Sequence, residues 1–386
     1  MKKKVLITGG AGFIGSNLTL FLLERGFEVV VYDNLSPQIH KDYKQSYTYN
    51  SIANKCEIIH ADIRNKDFLA LALKDIDFVI HLAAETGTGQ SMYEIEKYVD
   101  VNVRGTSVLL ELIIQRNKLR PFVKVILSSS RAVYGEGKNL CPIHGVVFPE
   151  TRKYSDLINK DFYCKCPVCD AQVTPLPTDE SSLLKPVSIY GLTKLQQEEL
   201  FKLSLVKNQI PYTILRFQNV FGEGQSLDNP YTGILSIFST LIRQKKRINI
   251  FEDGLESRDF IHVFEVVKAI HASLSNENSS NIINVGTGNP TSVLEIVNLL
   301  YKVMNASPNY YISGDYRIGD IRHNFADVTT QKNQLYFSSS NELFINVSKF
   351  IDWAQYQNPQ NSSKYENSIN ELKSRGYLIS SRNAED

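Results

Sequence analysis

The sequence predicts an α/β chain built on a doubly wound parallel sheet, with a smaller C-terminal lobe and a cysteine-bearing insertion. Three observations predict it. A short β-branched run, Lys3 to Thr8, ends in a glycine-rich turn, Gly9-Gly10-Ala11-Gly12-Phe13-Ile14-Gly15. A helix-period segment follows at once. Strand-like and helix-like segments then alternate as far as Arg216, the rhythm of parallel strands joined by crossover helices.

Taken in order, Lys3 to Thr8 reads as a buried first strand. Phe13 to Glu24 reads as a helix with Leu18, Phe21 and Leu22 on one face. Glu28 to Tyr32 is a second strand ending at Asp33. Residues 34–54 are polar and rich in Tyr, Asn and Ser, and read as a long loop beside the glycine turn. Cys56 to His60 and Phe78 to His81 are the third and fourth strands. Ser91 followed by Glu94 fits a capping box opening a long helix through about residue 118. Val123 to Leu127 is a fifth strand, ending at Ser128-Ser129-Ser130. Residues 136–180 break the rhythm with several prolines and four of the chain's five cysteines, and read as an insertion. The pattern resumes at Ser188. The expected organisation is a first domain over 1–217, a second lobe over 218–357 with about 255–285 returning to the first domain, and a polar tail over 358–386 that adds little to the core.

Composition excludes several classes. Over 386 residues the net charge is +1, so no basic field is available for nucleic acid or an anionic membrane. The start, Met1-Lys2-Lys3-Lys4, imitates a secretory leader, but the apolar run behind it is too short and dissolves into glycines. No stretch is long and apolar enough to span a bilayer. Five cysteines in a chain of this length make no disulfide framework, so the cytoplasm is the expected compartment.

Two motifs carry chemistry. Gly9 permits the tight turn, Gly12 lets backbone approach a pyrophosphate, and Gly15 lets the helix pack close to the sheet. The N-terminus of the helix beginning Phe13-Ile14 then faces the anion with free N–H groups. Asp33 closes the next strand where a carboxylate would accept the ribose diol. It would repel a 2′-phosphate, which favours NAD(H) over NADP(H). Tyr190 and Lys194 are four apart and share one helix face. An ammonium beside a phenol stabilises the phenolate, which can then exchange a proton with an alcohol oxygen. Ser130, at the mouth of the fifth strand, is placed to hold that oxygen. A solvated helix also offers Tyr and Lys at this spacing; the glycine loop and the serine strand-end favour the catalytic reading.

With these residues the chain resembles the extended short-chain dehydrogenase/reductases, the NAD-dependent epimerase/dehydratase family of nucleotide-sugar enzymes, over about residues 3–330. The resemblance is carried by Thr8 to Gly15, Tyr32-Asp33-Asn34-Leu35, His81-Leu82-Ala83-Ala84, Val101-Asn102-Val103-Arg104-Gly105-Thr106, Ser128 to Gly135, Arg258-Asp259-Phe260-Ile261-His262-Val263 and Gly319-Asp320-Ile321-Arg322. It implies a Rossmann-type domain with a small substrate lobe. It adds Asn34, Asp62, Ile63, Leu82, Ala83, Ala84, Asn102 and Ser128 to the expected cofactor contacts. It assigns Ser130, Arg131, Asn219, Arg258, Arg317 and Asp320 to the substrate, where guanidinium forks suit a diphosphate. It also implies a homodimer paired through the long helices near 92–118 and 188–206.

Thr88 to Ile95 and the insertion resemble the subgroup acting at C4 of dTDP-6-deoxyhexoses in surface-polysaccharide (O-antigen) pathways. Arg131 and Ala132 stand where the family's dehydratases carry an acidic pair, which argues against dehydration. The 4-epimerases usually have a hydroxyl residue at Ala132, so its absence leans the expectation towards one-way reduction, as of dTDP-4-dehydro-6-deoxyglucose to dTDP-fucose. The alternatives are 4-epimerisation, as of dTDP-rhamnose with tightly bound NAD, and a non-catalytic NAD-binding sensor. The intact Ser130, Tyr190 and Lys194 argue against the last.

Within the insertion, Cys141-Pro142-Ile143-His144 and Cys166-Pro167-Val168-Cys169 are tight pairs with the spacing of a zinc knuckle. A closed structural zinc site of Cys141, His144, Cys166 and Cys169 is expected, with Cys164 a substitute ligand.

Overall fold

The computed structural model describes residues 2–227, 229, 231, 233–275, 280–340, 342–357 and 363–380. Seven parallel strands form the main sheet: β1 (Lys4–Thr8), β2 (Glu28–Asp33), β3 (Glu57–His60), β4 (Phe78–His81), β5 (Lys124–Ser130), β6 (Tyr212–Phe217) and β7 (Asn281–Val285), in the order β7-β6-β5-β4-β1-β2-β3. Alternate side chains serve opposite faces. Val5 and Ile7 join one core and Leu6 the other, all three fully buried. One face is covered by α1 (Phe13–Glu24), through Leu18 and Leu22, and by the helix Val263–Ser275. The other is covered by α2 (Gly105–Asn117), through Leu109 and Ile113, and by α3 (Ile189–Lys207), through Phe201 and Leu205. Strand order reverses between β1 and β4, and the crevice at their carboxyl ends is where such sheets receive a dinucleotide.

The second lobe has its own core. Helices Ile234–Arg243, Val293–Val303 and Leu343–Gln355 enclose Phe221, Phe238, Ile296 and Phe350. The strand Ser257–His262 ties this lobe together by pairing with Asn219–Phe221, Pro290–Ser292 and His323–Asn324.

Four segments differ from the sequence expectation. Residues 34–54 are no open loop; they fold into short helical turns, Pro37–His40, Tyr43–Gln45 and Tyr47–Ile52. The helix expected from Ser91 to 118 is broken into Thr88–Ser91, Ile95–Tyr98, a π-helical turn Val99–Arg104, and α2. Ser91 caps nothing there: its hydroxyl donates to the Thr88 carbonyl at 2.6 Å and accepts the Tyr190 N–H at 3.0 Å. The insertion builds a small sheet in which Asn139–Cys141 pairs with both Gly145–Val147 and Thr174–Pro175. The tail contributes more than its polarity suggests. Its helix Ser363–Ser374 buries Leu372, and Leu378–Ile379 pairs antiparallel with Tyr316–Arg317.

Candidate active site

Gly9 leaves β1 at φ +71°, and a Cβ there would lie 2.7 Å from the Ala83 nitrogen, so the turn admits only glycine. At Gly15 a Cβ would meet the Gly9 carbonyl oxygen at 2.3 Å, which is how α1 comes so close to the strand. Gly12 is the N-cap of α1 and offers no capping side chain. The first-turn N–H groups of Phe13, Ile14 and Gly15 therefore face the crevice, as an anion site requires. Asp33 sits at the end of β2. Its carboxylate accepts the N–H of Ala11 at 3.0 Å and of Leu35 at 2.8 Å, which ties the acidic strand-end to the glycine loop.

A cleft of about 800 Å³ runs over these ends. Its wall includes Gly9, Gly12, Phe13, Ile14, Gly15, Asp33, Asn34, Ile63, Leu82, Ala83, Ala84 and Ser128, and at the same time Ser130, Arg131, Tyr190, Lys194 and Asn219. The residues expected at the dinucleotide and those expected at the reacting carbon thus share one cavity. Other expected contacts stand behind its wall. Asp62 grips Arg64 at 2.7 and 2.6 Å, and it is the neighbouring Ile63 that faces the cleft. Asn102 is buried, bonded to both backbone groups of Glu85 and to the Thr193 hydroxyl, so it shapes the strand-end loop. Arg258 donates to the Ser257 and Arg322 carbonyls, and Arg317 pairs with Asp320 at 2.9 Å.

The trio expected to be catalytic, Ser130, Tyr190 and Lys194, is set by three local features. Ser188 caps α3 by accepting the Gly191 N–H at 3.1 Å, and Ser91 receives the Tyr190 N–H, so the first turn of α3 is fixed. Ser130 ends β5, and its hydroxyl accepts the Ala132 N–H at 3.2 Å. Burial pushes the Tyr190 phenol above its ordinary value, and the Ser130 hydroxyl and the Arg131 cation pull it back part of the way. Lys194 acts differently from expectation: its ammonium donates to the Ser128 carbonyl at 2.9 Å, and burial pulls it down to about 7. Glu198, one turn further along α3, opposes that drop. The cation acting on Tyr190 is thus Arg131, expected only as a substrate contact, whereas Lys194 was the cation expected to tune the phenol.

Sequence reading missed the support behind this trio. Glu198 and Arg216 form a fully buried pair at 2.7 Å, and Arg216 also donates to the Tyr134 hydroxyl at 2.8 Å. Ser129 donates to the same Glu198 carboxylate. The spacing of Lys194 and Glu198 on one helix face could have revealed half of it.

In the insertion, the ligand atoms of Cys141, His144, Cys166 and Cys169 all lie within 4.8 Å of one another. The Cys141 sulfur is 3.6 Å from His144 Nδ1 and 3.7 Å from the Cys169 sulfur, and Cys166 is 3.6 Å from the same nitrogen. Sulfurs bound at about 2.3 Å around a tetrahedral centre stand about 3.8 Å apart, whereas a disulfide needs about 2.05 Å. The donor set and its spacing fit a tetrahedral metal. Burial raises the Cys141 thiol, but N–H donors from His144 and Ile143 outweigh it and hold the thiol near 6. Cys164 turns away from the cluster towards Glu136, so it is no substitute ligand.

Comparison with known proteins adds the following. The profile described as GDP-mannose 4,6 dehydratase matches residues 6–145, and that of the NAD dependent epimerase/dehydratase family matches residues 167–286. The chain is 38% identical over 333 residues to a dTDP-L-rhamnose 4-epimerase of Burkholderia thailandensis, covering 85% of this chain and 88% of that protein. It is 34% identical to a putative UDP-glucose 4-epimerase of Methanocaldococcus jannaschii, covering 77% and 81%. Among solved structures, UDP-glucose 4-epimerase of Thermotoga maritima with UDP-glucose superposes with a TM-score of 0.73 at 26% identity, over 91% of this chain and 98% of that one. MoeE5 in complex with UDP-glucuronic acid and NAD superposes with a TM-score of 0.72 at 28% identity, over 91% and 99%.

Proposed function

This chain belongs to the NAD-dependent epimerase/dehydratase family, within the extended short-chain dehydrogenase/reductases, and on that premise we propose that it is a nucleotide-sugar 4-epimerase whose substrate is a dTDP-6-deoxyhexose, dTDP-rhamnose in the first instance. The observation that carries this reading is the single cleft in which the glycine loop and Asp33 meet Ser130, Tyr190 and Lys194. Identity to the Burkholderia enzyme supports epimerisation over the one-way reduction towards which Ala132 leaned. The reason lies in what Ala132 does. It lines the cleft with a methyl group, which offers no hydrogen bond but leaves the expected proton-transfer residues Ser130 and Tyr190 in place on the same wall.

The glycine loop, Asp33 and Lys194 would hold NAD, which would supply a reversible hydride acceptor. Tyr190 takes the proton of the C4 hydroxyl and returns it after the sugar has turned its other face. Ser130 holds the C4 oxygen throughout, and Arg131 stabilises the phenolate while Tyr190 is deprotonated. Asn219 on the cleft wall, with Arg258 and Arg317 beyond it, would hold the nucleotide diphosphate and anchor the substrate while its sugar end turns, Asp320 orienting Arg317. The product enters surface-polysaccharide synthesis in the cytoplasm. Zinc bound by Cys141, His144, Cys166 and Cys169 is structural, because four protein ligands leave no open coordination position.

The test is to incubate purified protein with dTDP-rhamnose without added nicotinamide and follow the sugar by NMR. Accumulation of the C4 epimer with unchanged absorbance at the reduced-nicotinamide band is expected. Stoichiometric consumption of NADH with dTDP-4-dehydro-6-deoxyglucose, and no epimer, would return the assignment to a reductase. No turnover of either would favour the sensor.

A further inference from the structure

The residues assigned to the diphosphate do not hold their positions unaided. Arg317 and Asp320 lie on an arm, residues 316–322, that starts in the pairing of Tyr316–Arg317 with Leu378–Ile379 and leads into His323–Asn324. The arm is gripped from the insertion. The Arg152 guanidinium, only 3% exposed, donates to the Asp320 carbonyl at 2.9 Å, to the Phe162 carbonyl at 3.2 Å and to Glu252 at 2.9 Å. Its Nε lies 3.5 Å from Glu136, whose other oxygen accepts the Arg322 N–H at 2.7 Å. Arg322 in turn reaches Glu252 at 2.8 Å and Asp253 at 2.7 Å, fully buried. One guanidinium fork therefore joins both halves of the insertion, the second lobe and the arm.

We infer that the insertion is a brace for the substrate's diphosphate arm, with Arg152 as the positioning residue. Arg152 lies outside the cleft wall and touches no reacting atom. It fixes the backbone at Asp320 while Glu136 fixes it at Arg322, so that Arg317 and Asp320 are presented in one geometry. Arginine suits this place because it bonds several acceptors in one plane. A lysine ammonium is a single point that cannot span Phe162, Glu252 and Asp320 together. The Cys141, His144, Cys166 and Cys169 cluster lies in the same insertion, and Arg152 reaches the stretch leading into it through the Phe162 carbonyl, four residues before Cys166. The inference rests on the reading that Arg317 contacts the diphosphate.

The test compares Arg152→Lys and Arg317→Lys in the intact enzyme, using dTDP and UDP as probes by calorimetry, with KM and kcat measured alongside NAD and zinc content. Arg152→Lys should weaken binding of the diphosphates and raise KM by about tenfold or more, with kcat within about twofold. Its NAD and zinc content should match the parent. If Arg317→Lys weakens dTDP binding and a folded Arg152→Lys does not, the brace is refuted while the diphosphate reading stands. If neither does, the diphosphate reading falls and takes the brace with it. Loss of NAD or zinc from Arg152→Lys would also count against positioning, because it means a general structural role. Should Arg152→Lys fail to fold, Glu136→Gln keeps an acceptor for the Arg322 N–H and removes the charge facing Arg152. A smaller rise in KM at unchanged kcat is expected from it, and an unchanged KM would refute the brace.

Discussion

At the scale of single residues, the chemistry turns on how a buried phenol is made acidic enough to act as a base. Burial holds the Tyr190 phenol up, and Ser130 and Arg131 oppose that. Epimerisation begins with proton removal, so kcat should rise with pH through the apparent pKa of this phenol. Arg131→Gln deletes a cation that favours the phenolate. The phenol pKa must then rise, and the ascending limb of the kcat profile should move to higher pH by about one unit. Bound NAD should be unchanged, since Arg131 stands on the substrate side of Ser130. An unshifted limb would leave Lys194 or Ser130 as the tuning group. Tyr190→Phe removes the group altogether and should lower kcat by about 10³-fold with NAD retained. Full turnover in that variant would remove Tyr190 from the mechanism.

At the scale of elements, the insertion is the part whose stability is expected to draw on a metal as well as on apolar packing. Its own apolar cluster is small, being Val147 and Val173 beside three of its cysteines. Structural zinc in such settings is worth on the order of 10 kcal/mol of folding free energy. Cys166→Ser should therefore lower bound zinc from one per chain towards none. It should also speed hydrogen exchange across 139–175 while the main-sheet amides keep their protection. Equal zinc content in parent and variant, by elemental analysis, would defeat the metal assignment. What the sequence revealed of these elements follows their physics. The first, second and fifth strands were legible because their middles are buried on both faces and they run out at Gly9, Asp33 and Ser130. Gly9, Gly12, Gly15, the pair Tyr190 and Lys194, and the two cysteine pairs stood out because the roles expected of them require fixed local spacing, and the fold brings each set together. The segment 91–118 was misread because Ser91 bonds across space to Tyr190, which a local capping pattern does not reveal. Arg152, Glu198 and Arg216 were missed for the same reason: their partners are supplied by the fold, and a buried arginine looks in sequence like any surface one.

For the whole molecule, the question is whether one chain is a complete enzyme. The glycine loop, Asp33, Ser130, Tyr190 and Lys194 all lie on this chain's own cleft wall. Yet the helices expected to pair keep apolar residues in water: Leu203 is 74% exposed and Val206 60%, with Leu192 and, on the preceding short helix, Ile95 also exposed. Two copies meeting along α3 and the 95–117 segment would bury these side chains, at roughly 25 cal/mol per Å² of apolar surface removed from water. A homodimer through this face is therefore expected in solution. Leu203→Glu places a charge in the middle of the proposed contact, on a residue with no role inside its own chain. By sedimentation, the parent should run at twice 43.8 kDa and the variant at 43.8 kDa. The monomer should keep NAD and epimerise at a rate within about threefold of the dimer, because neither the cleft nor the Arg152 brace crosses the interface. A variant that remains dimeric would move the interface elsewhere, and a monomer that loses NAD would mean that the pairing helices hold the cleft in shape.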